Sequence, residues 1–585
     1  FVYKKVLEIP AANMESMDLL MKKMYSNKSF FNDEMWMYRK NVELYQRSNG
    51  EIKRVLLESN KIRELISKLA LEKFEKIPQK AQGNASVDKI QAQLYEESEQ
   101  ILTRMMASQN LPSVKIFGWA LNKVWRQLYE KIIVDENAMR KIKSFTENSN
   151  GNLLILPTHK SYIDFLIVSY IFFIYGIKLP HIAAGEDFLN MAVINLFLRF
   201  SGAFFIRRTF ANDPLYKALF TEYVRLLIKD GCPLEFFIEG TRSRTGKILA
   251  PKFGILKVVL DCYFDKQVED IHIVPMTLNY EKTLEGETYP RELLGEGKVK
   301  ESTGRVLKAV KLLGTSFGKI NVVIGDITPA SAYVEGAQKI VGKPLDPFNN
   351  PKDKLPVLHK IAYDTIDFFV NNSVIMIPSM MCSVLLEHRR GISFEELTAK
   401  VEWLKRQIEL RGFRTEGLTY GNVYSSMNTA LELMSSAIYR KKNMVDIISS
   451  ENDRSNFLYL CYYKNLLIHI FFTEAIIAIA LQSFGREMAW EEGVPLTRVH
   501  EEARFLANIL EKESAAPIPI NESLEKFTTL IQRMVDLEIV TLTQNPDGEK
   551  IVQVAPNGGT VFNYLCSLVW PVIDSYWVSA LFMMS

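Results

Sequence analysis

"NLLILPTHKSYIDFLIVSYIFFIYGI", residues 152–177, places one polar break between two apolar runs. The first run, 152–156, is short and ends at Pro157. An unalternating apolar run of this length reads as a strand buried on both faces. The second run opens at Phe165 and is long enough for a helix. The break between them carries His159 and, five residues later, Asp164. On one continuous helix five residues turn through about 140°, so the two side chains would not share a face. With His159 in the loop and Asp164 in the first helical turn they can converge, leaving one imidazole nitrogen free as a base. A plainer role is also open: Ser161 and Asp164, three apart, resemble a capping box that only starts a helix.

Outward from this break the same texture repeats. Apolar, β-prone runs at 152–156, 180–184, 202–206, 234–238, 271–276 and 320–325 alternate with amphipathic stretches such as 213–230 and 253–264. This is an α/β pattern, a central and mostly buried sheet flanked by helices, over about 116–345. Residues 1–115 read as a helical region with a loop at 78–86. "GKPLDPFNNPKDKLP", 342–356, reads as a linker, and 346–585 as a mainly helical region. Within the last, Asn-Pro-Asp-Gly at 545–548 between β-prone runs predicts a hairpin.

The 585 residues allow two to four domains. With 71 basic and 68 acidic residues the net charge is +3, which gives no signal for nucleic acid. The apolar share is 48% and the mean hydropathy is −0.02, a balance that suits membrane contact. Five scattered cysteines without C-x-x-C argue against a disulfide framework or a zinc site. The segments 163–179 and 465–484 are too interrupted for clean spans and read as buried or interfacial helices. The expected attachment is therefore monotopic. The helix after Asp164 is one candidate surface, with a core role equally open to it. The other is 187–200, with Phe188, Met191, Ile194, Leu196, Phe197, Leu198 and Phe200.

Polar clusters follow the apolar runs, where open α/β sheets bind ligands. Arg207 and Arg208 follow one run. Glu239, Gly240, Thr241, Arg242, Ser243, Arg244 and Lys247 follow another. Arginine matches phosphate with a planar fork, so two such clusters predict an anion pocket. From 239 to 257 there are five basic residues and one acid, with no obvious local partner for the excess. A P-loop is excluded: five residues, not four, separate Gly240 from Gly246, and Ile248 follows Lys247. No His-Glu-x-x-His or Gly-x-Ser-x-Gly occurs. A base, an anion pocket and apolar surroundings suit a phosphorylated alcohol that attacks an acyl group.

These residues resemble the glycerolipid acyltransferase family. "HKSYID" (159–164) has its H-x-x-x-x-D; "GAFFIRR", "FFIEGTRSRTGK" and "IVPMTLNY", the last with Pro275, resemble its second, third and fourth blocks. "SYIDFL", "IAAGEDFL" and "PKFG" are most similar to the branch that acylates dihydroxyacetone phosphate, and "GKVKESTGRVLKA", 297–309, extends the likeness. The branch that acylates glycerol 3-phosphate shares "EGTRSR" and is the alternative; a silent lipid-binding scaffold is the more distant one. The resemblance implies acyl-CoA as cosubstrate, no cofactor and no metal. It implies His159 as general base, oriented by Asp164. Arg207, Arg208, Arg242, Ser243, Arg244 and Lys247 would bind the phosphate. Glu239, Gly240, Thr241 and Pro275 would support them, Glu239 by ordering the arginines. It also implies a peroxisomal membrane enzyme on the lumenal face, in ether-lipid synthesis, with alkyl-dihydroxyacetone-phosphate synthase as a partner.

Overall fold

The computed structural model describes residues 16–20, 42–77, 86–149, 151–190, 192–207, 212–295, 316–416, 423–449 and 454–584, the side chains of 188, 190 and 192–194 excepted. Arg208, Met191, the segment 297–309 and most of the loop at 78–86 lie outside the described residues.

Nine strands form the main sheet: β1 (Ser16–Asp18), β2 (Lys131–Asp135), β3 (Asn152–Pro157), β4 (His181–Gly185), β5 (Ala203–Ile206), β6 (Leu234–Glu235), β7 (Ile271–Tyr280), β8 (Lys319–Ile324) and β9 (Thr328–Pro329). Their order is β1-β2-β8-β7-β3-β6-β4-β5, with β9 beside β7. The strands β7, β3, β6, β4 and β5 are parallel. β8 runs antiparallel to β7, and β2 is parallel to β8. Each of the six apolar runs forms a strand of this sheet, although 234–238 pairs only at Leu234–Glu235. Beyond it the chain turns, and Gly240 N–H donates to Phe237 O.

β3 is buried at every residue and β7 at nearly every one, which explains why neither alternates. One face of the sheet packs on helices Pro214–Lys229, Gly254–Phe264 and Pro351–Asn371, together with the N-terminal helices Asn49–Leu57, Asn60–Glu75 and Val87–Met105. The other face packs on Leu111–Leu128, Glu136–Asn148 and Asp164–Tyr175. The helix Asp164–Tyr175 is buried along its length except at Leu166, so it is core and offers no lipid surface. The linker expected over 342–356 ends early. Pro351 opens a helix capped by the Asn350 side chain, and that helix shares the core of the sheet.

A second apolar core holds helices Ile377–Glu387, Phe394–Leu410, Ser455–Asn465, Ile468–Gln482, Leu496–Ile509 and Leu524–Asp536. The segment at 465–484 is accordingly a buried helix. The hairpin is present as Val540–Gln544 paired with Lys550–Val554. The last helix, Gly559–Met584, has two unlike halves. Val561, Phe562, Leu565, Leu568 and Val569 sit in this core, whereas Trp570, Trp577, Val578, Leu581, Met583 and Met584 are exposed. It is the one described helix that is by itself long and apolar enough to cross a membrane, and 17% of its most apolar window is buried. Pro571 and Asp574 interrupt its apolar run.

Candidate active site

The parallel strands β3 and β6 are neighbours, and the loops beyond their C-terminal ends meet. After Pro157 the Thr158 hydroxyl accepts from Leu278 N–H at 2.9 Å, which holds the chain on β7 for one more residue. The chain then turns through 159–163 and enters the helix at Asp164.

His159 Nδ1 lies 3.1 Å from Asp164 Oδ2. The same oxygen accepts the N–H groups of Lys160 at 2.6 Å and Ser161 at 2.8 Å. Asp164 Oδ1 accepts from the Tyr280 hydroxyl at 2.5 Å. The carboxylate is fully buried and ties down the loop before the helix. The capping-box alternative does not form: no side chain caps this helix, and the Ser161 hydroxyl donates to Glu285 instead. The imidazole stacks on Phe237 with centroids 3.9 Å apart, and its Nε2 makes no hydrogen bond among the described residues. Burial holds the His159 pKa below the ordinary value of 6.5, and the charges of Arg242 and Arg244 add to this against the opposing pull of Asp164. A neutral imidazole with Nδ1 held by a carboxylate and Nε2 open is the arrangement of a general base.

Glu239 does not order the arginines as expected. Its carboxylate accepts the N–H of His159 at 2.8 Å and of Leu249 at 3.1 Å, stapling the arginine loop to the base loop. Burial raises its pKa to about 7 against those two hydrogen bonds and the charge of Lys160. Gly240 makes the turn at φ +69°. Gly246, at φ +84°, brings the loop so close to helix Ser455–Asn465 that a Cβ would stand 2.1 Å from Tyr462 O. Asn465 Nδ2 donates to Thr245 O at 2.8 Å, so the helical region braces the same loop.

Three of the five basic residues in this stretch have acidic partners, each distant in sequence. Arg242 lies over the Tyr162 ring at 3.2 Å and 3.7 Å from Glu285. Arg244 Nε bonds Glu292 at 3.2 Å, and its Nη1 donates to the Thr241 hydroxyl at 3.1 Å. Lys247 is drawn away from the base to Glu513, which also accepts from the Tyr576 hydroxyl at 3.0 Å. Ser243 Oγ lies 3.3 Å from Thr245 Oγ1. Arg207, at the end of β5, bonds Asp213 at 2.7 Å and stacks on Tyr216 at 4.3 Å. Three strand steps separate β5 from β3, about 14 Å, so Arg207 stands at the rim while Arg242 and Arg244 are next to the base. Pro275 sits on β7 opposite Leu156, below the site, and packs on Gly325.

Tyr280, Glu285, Tyr289, Glu292 and Lys160 also belong to the site, although the motifs did not single them out. Lys160 Nζ donates to Asn279 Oδ1 at 3.0 Å, and burial lowers its pKa to about 8. Tyr280, the last residue of the fourth block, and Lys160, inside the first, were within reach of a sequence signal.

Comparison with known proteins gives the family. The family described as Acyltransferase matches residues 131–279, which span both loops. The glycerol-3-phosphate acyltransferase C-terminal region matches residues 289–585. The chain is 31% identical over 561 residues to a dihydroxyacetone phosphate acyltransferase of Homo sapiens, covering 92% of this chain and 76% of that protein. The Bos taurus protein of the same name is 32% identical over 508 residues, covering 83% and 71%. A glycerol-3-phosphate acyltransferase of Pseudomonas syringae is 32% identical over 420 residues, covering 70% of this chain and 48% of that protein. The chain therefore belongs to the acyltransferase family that contains the dihydroxyacetone phosphate and glycerol-3-phosphate acyltransferases.

Proposed function

We propose that this acyltransferase moves a long-chain acyl group from acyl-CoA to the free hydroxyl of dihydroxyacetone phosphate. The observation that carries the reading is His159, with Nδ1 held by Asp164, Nε2 open, and two arginines beside it. Nε2 takes the hydroxyl proton as the oxygen attacks the thioester carbonyl. A carbon–oxygen bond forms, the carbon–sulfur bond breaks, and the imidazolium returns its proton to the leaving thiolate. Asp164 keeps the Nδ1 proton in place and offsets the transient positive charge. Arg242 and Arg244 hold the acceptor phosphate with their planar guanidinium groups. No metal or cofactor takes part.

The test is an acceptor comparison with one long-chain acyl-CoA. A kcat/KM at least tenfold higher for dihydroxyacetone phosphate than for glycerol 3-phosphate supports the reading; the reverse order makes glycerol 3-phosphate the substrate. That second reading is favoured by the match of 289–585 to the glycerol-3-phosphate acyltransferase C-terminal region. Acyl-CoA binding with transfer to neither acceptor would leave a lipid-binding scaffold.

The product is amphiphilic, so the protein is proposed to work at a membrane surface. Support comes from the exposed half of Gly559–Met584, where Trp570, Trp577, Val578, Leu581, Met583 and Met584 face outward. The segment 187–200 is a weaker candidate, because Phe197 stacks on Phe117 at 5.6 Å and Leu198 is buried. The proposal places the reaction in ether-lipid synthesis, at the lumenal face of the peroxisomal membrane and beside the alkyl-transferring synthase that follows; similarity to the dihydroxyacetone phosphate acyltransferases supports the choice of acceptor.

A further inference from the structure

The segment 281–292 leaves the end of β7 and returns side chains to the site from outside both loops. Glu285 is one of them and is 6% exposed. Its Oε1 accepts the Tyr162 N–H at 2.6 Å and lies 3.7 Å from Arg242 Nη1. Its Oε2 accepts the Ser161 hydroxyl at 2.8 Å. Tyr289 makes a parallel link: its hydroxyl is 3.4 Å from Arg242 Nη1 and donates to Lys160 O at 3.3 Å. One carboxylate thus joins the loop that carries His159 to the first arginine of the other loop.

We propose that Glu285 is a positioning residue for acyl transfer: it fixes Arg242 relative to the His159 loop and so sets the distance between the bound phosphate and the base. The proposal rests on Arg242 as a phosphate ligand. The reasoning is geometric. A three-carbon acceptor carries its phosphate and its reacting hydroxyl a short, fixed span apart. A clamp that holds one end must stand at a matching distance from the base that meets the other. Arg242 reaches the site on a long, rotatable stem, and Glu285 with the Tyr162 ring restricts it. Misplacement by an ångström can cost about 10²-fold in rate. Glu285 makes no hydrogen bond or ion pair with His159 among the described residues, so it acts through Arg242 and the loop.

The opposite role is a carboxylate that merely competes with phosphate for Arg242. The two roles predict opposite signs. The experiment uses the full chain, dihydroxyacetone phosphate and palmitoyl-CoA. With Glu285→Gln, the KM for dihydroxyacetone phosphate should rise at least tenfold while that for palmitoyl-CoA stays within twofold. The acidic limb of kcat/KM should also move to lower pH. Arg242 then lacks its counter-charge, and its positive charge further disfavours the imidazolium. Glu285→Asp, which keeps the charge but shortens the reach, should restore the limb and only part of the KM. Ser161→Ala removes one anchor of the carboxylate without changing charge, and should raise the acceptor KM several-fold with the limb unmoved; it serves if Glu285→Gln does not fold. An unchanged acceptor KM in Glu285→Gln, or in Ser161→Ala where the former does not fold, overturns the proposal. A lowered KM overturns it in favour of the competitor. A wild type that transfers to neither acceptor defeats the underlying reading, and this inference with it.

Discussion

Tyr280 donates a 2.5 Å hydrogen bond to Asp164 across 116 residues of sequence, from the last position of β7 to the first turn of the helix behind β3. With it, both carboxylate oxygens are occupied: one by the phenol, the other by two backbone N–H groups and the His159 ring. A buried carboxylate so surrounded has one orientation, and the imidazole inherits it.

Tyr280→Phe should therefore lower stability by about 1–3 kcal/mol, because it leaves a buried acceptor unsatisfied. It should also reduce kcat with little change in either KM. Denaturant titration and steady-state kinetics on one preparation check both, and unaltered stability would mean that Asp164 is held without the phenol.

His159→Ala should cost about 10²–10⁴ in rate while leaving the fold intact. Asp164→Asn should be impaired as well, since it loses the charge that supports the imidazolium. In the wild type, kcat/KM should rise with pH through a limb below 6.5, the ordinary histidine value, because burial depresses the group. A limb above 6.5 would assign the base elsewhere.

Arg242→Ala and Arg244→Ala should raise the KM for the phosphate acceptor by at least tenfold, and that for acyl-CoA far less. Lysine should restore only part, since it offers a point charge in place of a planar fork. Arg244→Ala should also shift the kinetic limb to higher pH by removing a charge that depresses His159. If the acyl-CoA KM suffers instead, these arginines face the CoA phosphates.

Glu235 on β6 is 1% exposed, and neither carboxyl oxygen has a hydrogen-bond partner among the described residues. Burial, with the nearby charge of Asp164, pushes its pKa well above the ordinary value. The folded chain therefore holds this proton more tightly than the unfolded chain, so the group costs stability as pH rises above about 4.3. Glu235→Gln should be more stable than the wild type at pH 7–8, with the difference closing toward pH 4. Thermal melts across this range check it, and a pH-independent difference would point to packing instead.

The paired change Trp577→Glu with Leu581→Glu falls on one face of the exposed half of the last helix, four residues apart. It should weaken binding to phosphatidylcholine vesicles without changing the melting temperature. Binding by the wild type should survive high salt, since burial rather than charge drives it. Normal sedimentation of the variant with vesicles would remove this helix as the lipid contact.

The sequence by itself determined six of the nine strands of the main sheet, the α/β class and the His159–Asp164 pair. Runs such as 152–156 and 271–276 are apolar on both faces, and that pattern has few other folded solutions. His159 and Asp164 were legible because they are five residues apart at the single break between a strand and a helix. The two arginine clusters were legible because they end apolar runs. What surrounds those residues was not legible, because it comes from segments that the sheet order alone brings near. β3 lies between β6 and β7, so the loops beyond β6 and β7 converge on the end of β3 although 80 to 124 residues separate the bonded partners. Glu239 thereby reaches the His159 backbone in place of the arginines, and Glu285 and Glu292 reach the arginines that looked unpartnered. Lys247, assigned to phosphate, turns to Glu513 in the helical region. Local pattern records which side chains need burial or a partner; only tertiary packing decides which partner arrives.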